Sequence, residues 1–528
     1  MSTNLALSFY NNARSHPERL ALSVNQRDFT YREFAELAER IAGWLQSRSA
    51  HEVKLVGLLA SRSLAAYAGV MGTSWAGAAY VPLNPSWPEQ RLLSILQTTE
   101  LDALVVDDRG LKLLSPQVLE QSPKYILAPD SPESFSLGAP PITESMTRSI
   151  VGFDALPPPD PHHLPKPLCE DDLAYIMFTS GTTGLPKGVM VSTGNVSSFV
   201  SAMQELYPFN PQDRVSQTYD LTFDPSVMDM FTTWSAGASL HVVPAGQLMG
   251  PSRFIREHGL TCWFSVPSTI AFMRNLKMLV PGAFPSVRYS VFCGEPLPAS
   301  SAELWQEAAP NSLVDNLYGP TEATVVCIGQ RCTEPIPVTE SRGTVATGKP
   351  FGSNAAAIVD ESLHFLPEGE KGELALCGKQ IAKGYFKDPQ KTATRFPSID
   401  GKVWYLTGDF AYRDTDGRFH HLGRTDNQVK VLGNRVELED VEAHLREVCA
   451  VDSVAAVAWP ITNSLAEGIV AFVAGSTLPA AEIRERMQRR VPKYMVPTEV
   501  RFLQRLPVSV SGKTDRKTLT EMLSQGSA

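Results

Sequence analysis

The sequence predicts a mixed α/β protein of two unequal parts. A large N-terminal domain holds layered α/β subdomains and a β-rich subdomain, and a small α+β C-terminal domain follows. Three observations predict this. Short apolar runs recur between stretches of helical spacing, the signature of parallel α/β layers. A chain of 528 residues is too long for one compact core. The last stretch, of about 100 residues, has its own helix and strand pattern and a comfortable domain size.

Taken in order, residues 4–20 read as a helix. Thr30 is a plausible N-cap of the next helix, with Glu33 three residues on as in a capping box. Val53 to Ala60 is an apolar strand, a helical stretch runs to Trp75, and Gly77 to Pro85 returns to strand and turn. Leu101 to Asp108 is another strand. Residues 128–169, rich in Pro, Ser and His, read as a surface connection, and His162 and His163 within it as solvated rather than metal-bound. Leu173 to Phe178 reads as a buried strand, Ser192 to Tyr207 as a helix, and 260–267 and 289–294 as buried strands. Residues 369–396 are β-rich. Near the end, 436–448 and 480–491 have helical spacing, and 454–459 and 469–474 read as strands.

Composition excludes several classes. Fifty-six acidic residues against 47 basic give a formal charge of −9, which argues against a nucleic-acid binder. The N-terminus lacks a basic region followed by an apolar core, so no signal peptide is read. The most apolar long window, Tyr67 to Leu83, falls short of a span, so no membrane insertion is expected. Seven scattered cysteines without a CxxC pair support neither a disulfide framework nor a zinc site. A cytoplasmic monomer is the expectation.

The most informative stretch is Phe178 to Gly188, Phe-Thr-Ser-Gly-Thr-Thr-Gly-Leu-Pro-Lys-Gly, between two apolar runs. Its glycines allow turns and close approach, so successive N–H groups can point at phosphate oxygens. Thr179, Ser180, Thr182 and Thr183 add hydroxyls, and Lys187 adds a positive charge. It is not the Walker pattern, which closes on Gly-Lys-Ser/Thr. Three other stretches stand out: Asp315 to Val325 (Asp-Asn-Leu-Tyr-Gly-Pro-Thr-Glu-Ala-Thr-Val), Trp404 to Asp409, and Leu506 to Lys517 around Lys513. On the residues alone, Glu322 and Asp409 could be turn carboxylates and Lys513 a solvent-facing lysine. Asp224, before Pro225, could cap a helix.

In this order the stretches resemble the adenylate-forming superfamily of acyl-CoA synthetases, luciferases and peptide-synthetase adenylation domains, from Tyr31 to Lys513. The resemblance implies ATP and Mg²⁺ as cofactors. It implies catalytic roles for Lys513, Glu322, Thr179 and Lys187. ATP would be bound by Thr179, Ser180, Gly181, Thr182, Thr183, Gly184, Lys187, Asn316, Tyr318, Gly319, Thr321, Asp409, Arg424 and Lys513, with Tyr318 on adenine and Asp409 on the ribose hydroxyls. Glu322 would hold the metal. Asp426 would be the hinge, with residues 1–423 as the core domain, 424–428 as the hinge segment and 429–528 as a mobile small domain.

By the same resemblance, the acid would sit among Asp224, Pro225, Met228, Ser265, Val291, Cys293, Leu317, Val325 and Val326, with Asp224 on an α-ammonium. That wall implies a small or medium uncharged α-amino acid. Phe223 to Met230 and Phe292 to Pro298 are similar to D-alanine–carrier protein ligases, from which Pro225 and Met273 depart. Activation as aminoacyl-AMP would be followed by transfer to the phosphopantetheine thiol of a separate carrier protein, since no carrier or condensation segment is read in the chain. An acyl- or aryl-CoA ligase, with Asp224 only capping a helix, is one alternative, and a D-alanine–carrier protein ligase is the other.

Overall fold

A computed structural model describes residues 3–48, 52–130, 149–160, 162–180, 186–424, 428–431, 433–462, 465–507 and 514–524. Two large sheets dominate. The first runs Gly384–Tyr385, Lys187–Ser192, Leu173–Thr179, Ala79–Leu83, Leu55–Leu59, Ala103–Val106, Tyr125–Ala128, Ser149–Gly152. From Leu173–Thr179 to Ser149–Gly152 its neighbours are parallel, while Leu173–Thr179 pairs antiparallel with Lys187–Ser192. Thr179 faces Lys187 in that register, so the glycine-rich loop is the connection of a strand pair at the carboxyl end of a parallel strand. Ligands of open α/β sheets gather at such ends.

The second sheet has a parallel centre: Leu20–Val24, Ser239–Val242, Arg214–Gln217, Cys262–Ser265, Tyr289–Cys293 and Leu313–Tyr318. Helix Leu64–Ala76, buried along nearly its whole length, packs with helix Tyr31–Arg48 into the core both sheets share. Thr30 and Glu33 form the reciprocal cap as expected, at 2.8 and 3.2 Å. The first helix is shorter than the sequence suggested, Ala6–Ser15, because Leu20–Val24 is drawn into the second sheet. The 128–169 connection likewise contains an edge strand, Ser149–Gly152.

A four-stranded antiparallel sheet, Ala355–Val359, Lys371–Cys377, Tyr405–Arg413 and Phe419–Arg424, forms the β-rich part. After it, strands Val454–Ala458, Ile469–Ala474 and Glu499–Leu503 carry helices Leu438–Cys449, Ala480–Gln488 and Arg516–Ser524. Leu438, Val441, Leu445 and Val448 recur at helical spacing and bury into a core with Ile469, Ala471 and Val473. A hairpin, Gln428–Val431 with Asn434–Glu437, connects this unit to the rest. Among the described residues no helix is long and apolar enough to cross a membrane.

Candidate active site

A cavity of about 720 Å³ opens where both large sheets, the β-rich part and the C-terminal unit meet. Thr179 and Ser180 reach it from the end of their strand, and Asn316 to Thr321 from the end of Leu313–Tyr318. Asp409, Arg424 and His421 enter from the β-rich sheet, and Gln428 to Lys430 with Gly433 to Arg435 from the hairpin.

Asp409 is a buried carboxylate at one end. Tyr318 donates its hydroxyl to it, Arg424 donates from Nη1 at 2.7 Å, and His421 Nε2 lies 3.2 Å away. Burial alone would raise the carboxyl, but His421 and Arg424 outweigh it and hold it well below the usual range. A permanently ionised carboxylate suits a vicinal diol, which brings two donors.

Glycine is required at 319, where a Cβ would stand 2.6 Å from the Val325 carbonyl oxygen. The turn it packs against is strained, with Thr324 at φ 52° and Val325 at 73°. Buried Gln380 holds that turn by donating to the Val326, Thr324 and Ala323 carbonyls at 2.8, 3.2 and 3.3 Å. Nothing in the sequence run around Gln380 marks it. Asn316 donates to the Ala346 carbonyl at 3.0 Å and so positions the strand end.

Glu322 has no exposed surface. Tyr385 donates to its Oε1 at 2.8 Å, Lys187 Nζ is 3.8 Å from the same oxygen, and Arg435 Nη1 is 2.7 Å from Oε2. Burial pushes the carboxyl up, and Arg435 and Lys187 override it to hold it far below normal. Burial lowers Lys187 to about 8, with Arg435 adding to the shift and Glu322 and Glu437 opposing it. Tyr385, Arg435 and Glu437 were not singled out from the sequence. Their signal, charged and aromatic residues in short strands, is indistinguishable from ordinary surface pattern.

Asp224 lines the cavity beside Pro225, Ser265, Cys293, Leu317, Val325 and Val326. It makes no capping bond to the short helix it precedes, so the capping alternative is not what the structure displays. Burial raises its carboxyl to about 7, against a hydrogen bond from Thr321. Its Oδ2 is buried and has no partner among the described residues. Met228 and Val291 are fully buried and lie outside the cavity wall. Met228 opens a π-helical turn, Met228–Thr232, whose wider spacing departs from an α-helical face. Val291 shares the face of Cys293 but sits one residue pair deeper. Met273 likewise belongs to the core.

Tyr219, unanticipated, takes part of the wall, its hydroxyl 3.4 Å from Cys293 Sγ. Asp220 also lines the cavity, but Ser61 donates to it at 2.6 Å and Thr222 at 2.7 Å. Gly181, Thr182, Thr183, Gly184, Asp426 and Lys513 lie outside the described residues.

The chain as a whole is similar to known proteins. The family model of the AMP-binding enzyme matches residues 9–386, and that of the AMP-binding enzyme C-terminal domain matches 440–513. One chain of the mycosubtilin synthase of Bacillus subtilis is 32% identical over 527 residues, covering 97% of this chain and 19% of that one. Tyrocidine synthase 3 of Brevibacillus parabrevis is 32% identical over 524 residues, covering 97% and 7%. The chain thus spans a fifth or less of these curated relatives. Among solved structures, the Vibrio cholerae adenylation domain AlmE in complex with glycyl-adenosine-5'-phosphate superposes with a TM-score of 0.88. It is 34% identical over 99% of this chain and 98% of that one. With both family models, the shared fold and this near-complete overlap, the chain belongs to the AMP-binding enzyme family, as an adenylation domain of the type found in non-ribosomal peptide synthetases.

Proposed function

We propose that this domain activates a small or medium uncharged α-amino acid as its aminoacyl-adenylate, using ATP and releasing pyrophosphate. The product then passes to the phosphopantetheine thiol of a carrier protein. One observation carries the reading. Among the described residues, three of a single cavity wall each hold a buried polar atom without a partner: Asp224 Oδ2, Thr179 Oγ1 and Arg435 Nε. An acceptor wants an ammonium, and two donors want an anion. An aminoacyl phosphate ester supplies both, and its ribose meets the ionised Asp409. The glycyl-adenylate in the AlmE structure is a ligand of this chemical class.

No protein nucleophile is needed, because the substrate carboxylate attacks the α-phosphorus. Asp224 holds the ammonium and so aims the carboxylate, while Thr179, Ser180 and Lys187 meet phosphate oxygens. Lys513 supplies a cation where charge develops on the leaving group. A Mg²⁺ ion bound with ATP would supply charge neutralisation at the phosphates. Glu322 offers the hard carboxylate oxygen such an ion takes, although Tyr385, Lys187 and Arg435 engage it in the present arrangement. Residues 424–428 serve as the hinge between a core domain, 1–423, and a small domain, 429–528.

Tyr219, whose hydroxyl lies 3.4 Å from Cys293 Sγ, supports a small or medium side chain by taking part of the wall beside Asp224. The test is ATP–pyrophosphate exchange with each common L- and D-amino acid, then with fatty and aryl acids. A strong signal with one small α-amino acid is the expected result. Exchange only with acids lacking an α-amino group would overturn the assignment of Asp224.

A further inference from the structure

The loop after strand Leu55–Leu59 reaches across to the second sheet. Its backbone is anchored in its own sheet: Asp107, just past strand Ala103–Val106, accepts from the Ser61 N–H at 2.9 Å and from the Ser63 hydroxyl at 3.0 Å. Arg62 follows in the left-handed region at φ 50°, where a residue with a side chain stays only when its surroundings hold it. Its guanidinium lies where strands Arg214–Gln217 and Ser239–Val242 of the other sheet end. Nη1 donates to the Val243 carbonyl at 2.9 Å and to the Gln217 carbonyl at 3.4 Å, and Nη2 donates to the Thr218 carbonyl. A rigid fork of donors holds several acceptors at once, which an ammonium does less well.

Ser61 donates its hydroxyl to Asp220 Oδ2 at 2.6 Å. Thr218 and Asp220 are the chain neighbours of Tyr219, so one dipeptide grips the wall residue from both sides. Thr218 is fixed further by its own hydroxyl, which donates to the Phe264 carbonyl at 2.6 Å, and by Asp229, which accepts from its N–H at 3.4 Å. With the backbone held here, the Tyr219 hydroxyl stands beside Cys293 Sγ. Neither Ser61 nor Arg62 lines the cavity. They act on it only through the segment they hold. A packed wall discriminates between substrates by single methylenes, so a small displacement of that segment changes which acids fit.

We propose that Ser61 and Arg62 are positioning residues for substrate choice: by fixing Thr218 and Asp220 they set how far the Tyr219 ring stands into the acid subsite. The inference rests on the reading of the Asp224 end of the cavity as that subsite. In the competing account Arg62 only ties the two sheets together, and its loss lowers stability without moving the wall.

Two measurements on the full chain separate the accounts. The first uses no substrate and takes the Cys293 thiol as reporter, labelled by a methanethiosulfonate reagent and read by mass spectrometry of its peptide. Labelling should be about tenfold faster in Arg62→Met than in the unsubstituted protein, because Tyr219 no longer stands over the thiol. Cys262, fully buried between strands, reports in the same data that each variant is folded. Arg62→Lys, with donors but no fork, should fall between. Ser61→Ala deletes only the Asp220 contact and should move labelling in the same direction by less. The second measurement is pyrophosphate exchange. The ratio of kcat/KM for the preferred acid over its next larger homologue should fall about tenfold in Arg62→Met, while KM for ATP holds.

Cys293 labelling unchanged in both Arg62→Met and Ser61→Ala would overturn the proposal. So would an unchanged ranking of acids, and a lower Tm with labelling and ranking intact would establish the competing account. Because labelling needs no substrate, failure to activate any α-amino acid would overturn the proposed function while labelling still decides what holds the wall.

Discussion

Asp224 should give amino-acid activation a pH dependence of its own. Its carboxyl lies at about 7 because burial disfavours the charge, and only the ionised form attracts an ammonium. kcat/KM for the amino acid follows ionisation in the free enzyme. Between about pH 5.5 and about pH 7.5 the ionised fraction rises from about 0.03 to about 0.76, so kcat/KM should rise roughly 25-fold. Asp224→Asn keeps the shape and removes the charge. Breaking a buried charge pair costs about 3–5 kcal/mol, so kcat/KM should fall by about 10²-fold or more and its acid limb should flatten. Initial-rate pyrophosphate exchange at saturating MgATP across that pH range is the assay. A profile as steep in Asp224→Asn as in the original protein would refute the reasoning. The same residue bears on stability with the opposite sign. A carboxyl raised above its unfolded value opposes folding as pH climbs from its unfolded pKa through about 7. Ligand-free Asp224→Asn should therefore melt higher than the original at alkaline pH and alike at acid pH.

Other substitutions test the rest of the site. Gln380→Ala removes three hydrogen bonds from a strained turn and strips the Ala323 and Val326 carbonyls of their donor, which should cost roughly 1–3 kcal/mol, read as a lower Tm, with slower exchange. Gly319→Ala forces a methyl onto the Val325 carbonyl and should abolish exchange even where circular dichroism shows a folded protein. Asp409→Asn removes the charge that faces Arg424 and one of the two acceptor oxygens offered to the diol, so KM for ATP should rise about tenfold or more while KM for the amino acid holds. Tyr219→Ala opens the wall at Cys293 and should shift the preferred amino acid to a larger side chain in the same exchange panel.

The Asn316–Glu322 run stood out because its order of glycine, hydroxyl and charge has few structural uses, and Asn316 to Thr321 do line the cavity. Strand Leu173–Thr179 and the capping box at Thr30 were legible for local reasons, apolar run and i, i+3 pairing. Leu20–Val24 was not, because its strand state comes from pairing with Ser239–Val242, two hundred residues away. Tyr385, Gln380 and Arg435 act through partners far along the chain, and no local pattern records that. The π-helical turn that Met228 opens was not legible either, since its wider spacing leaves no mark in a pattern of apolar residues.

The cavity wall is assembled from distant stretches of one polypeptide. Asp224, Tyr219, Ser265 and Cys293 come from before residue 300, Leu317, Val325 and Val326 from just after it, and Arg435 from the hairpin. A laboratory graft of residues 219–293 from a relative would therefore replace one bank of the wall and leave the other, 317–326, with the imprint of its host.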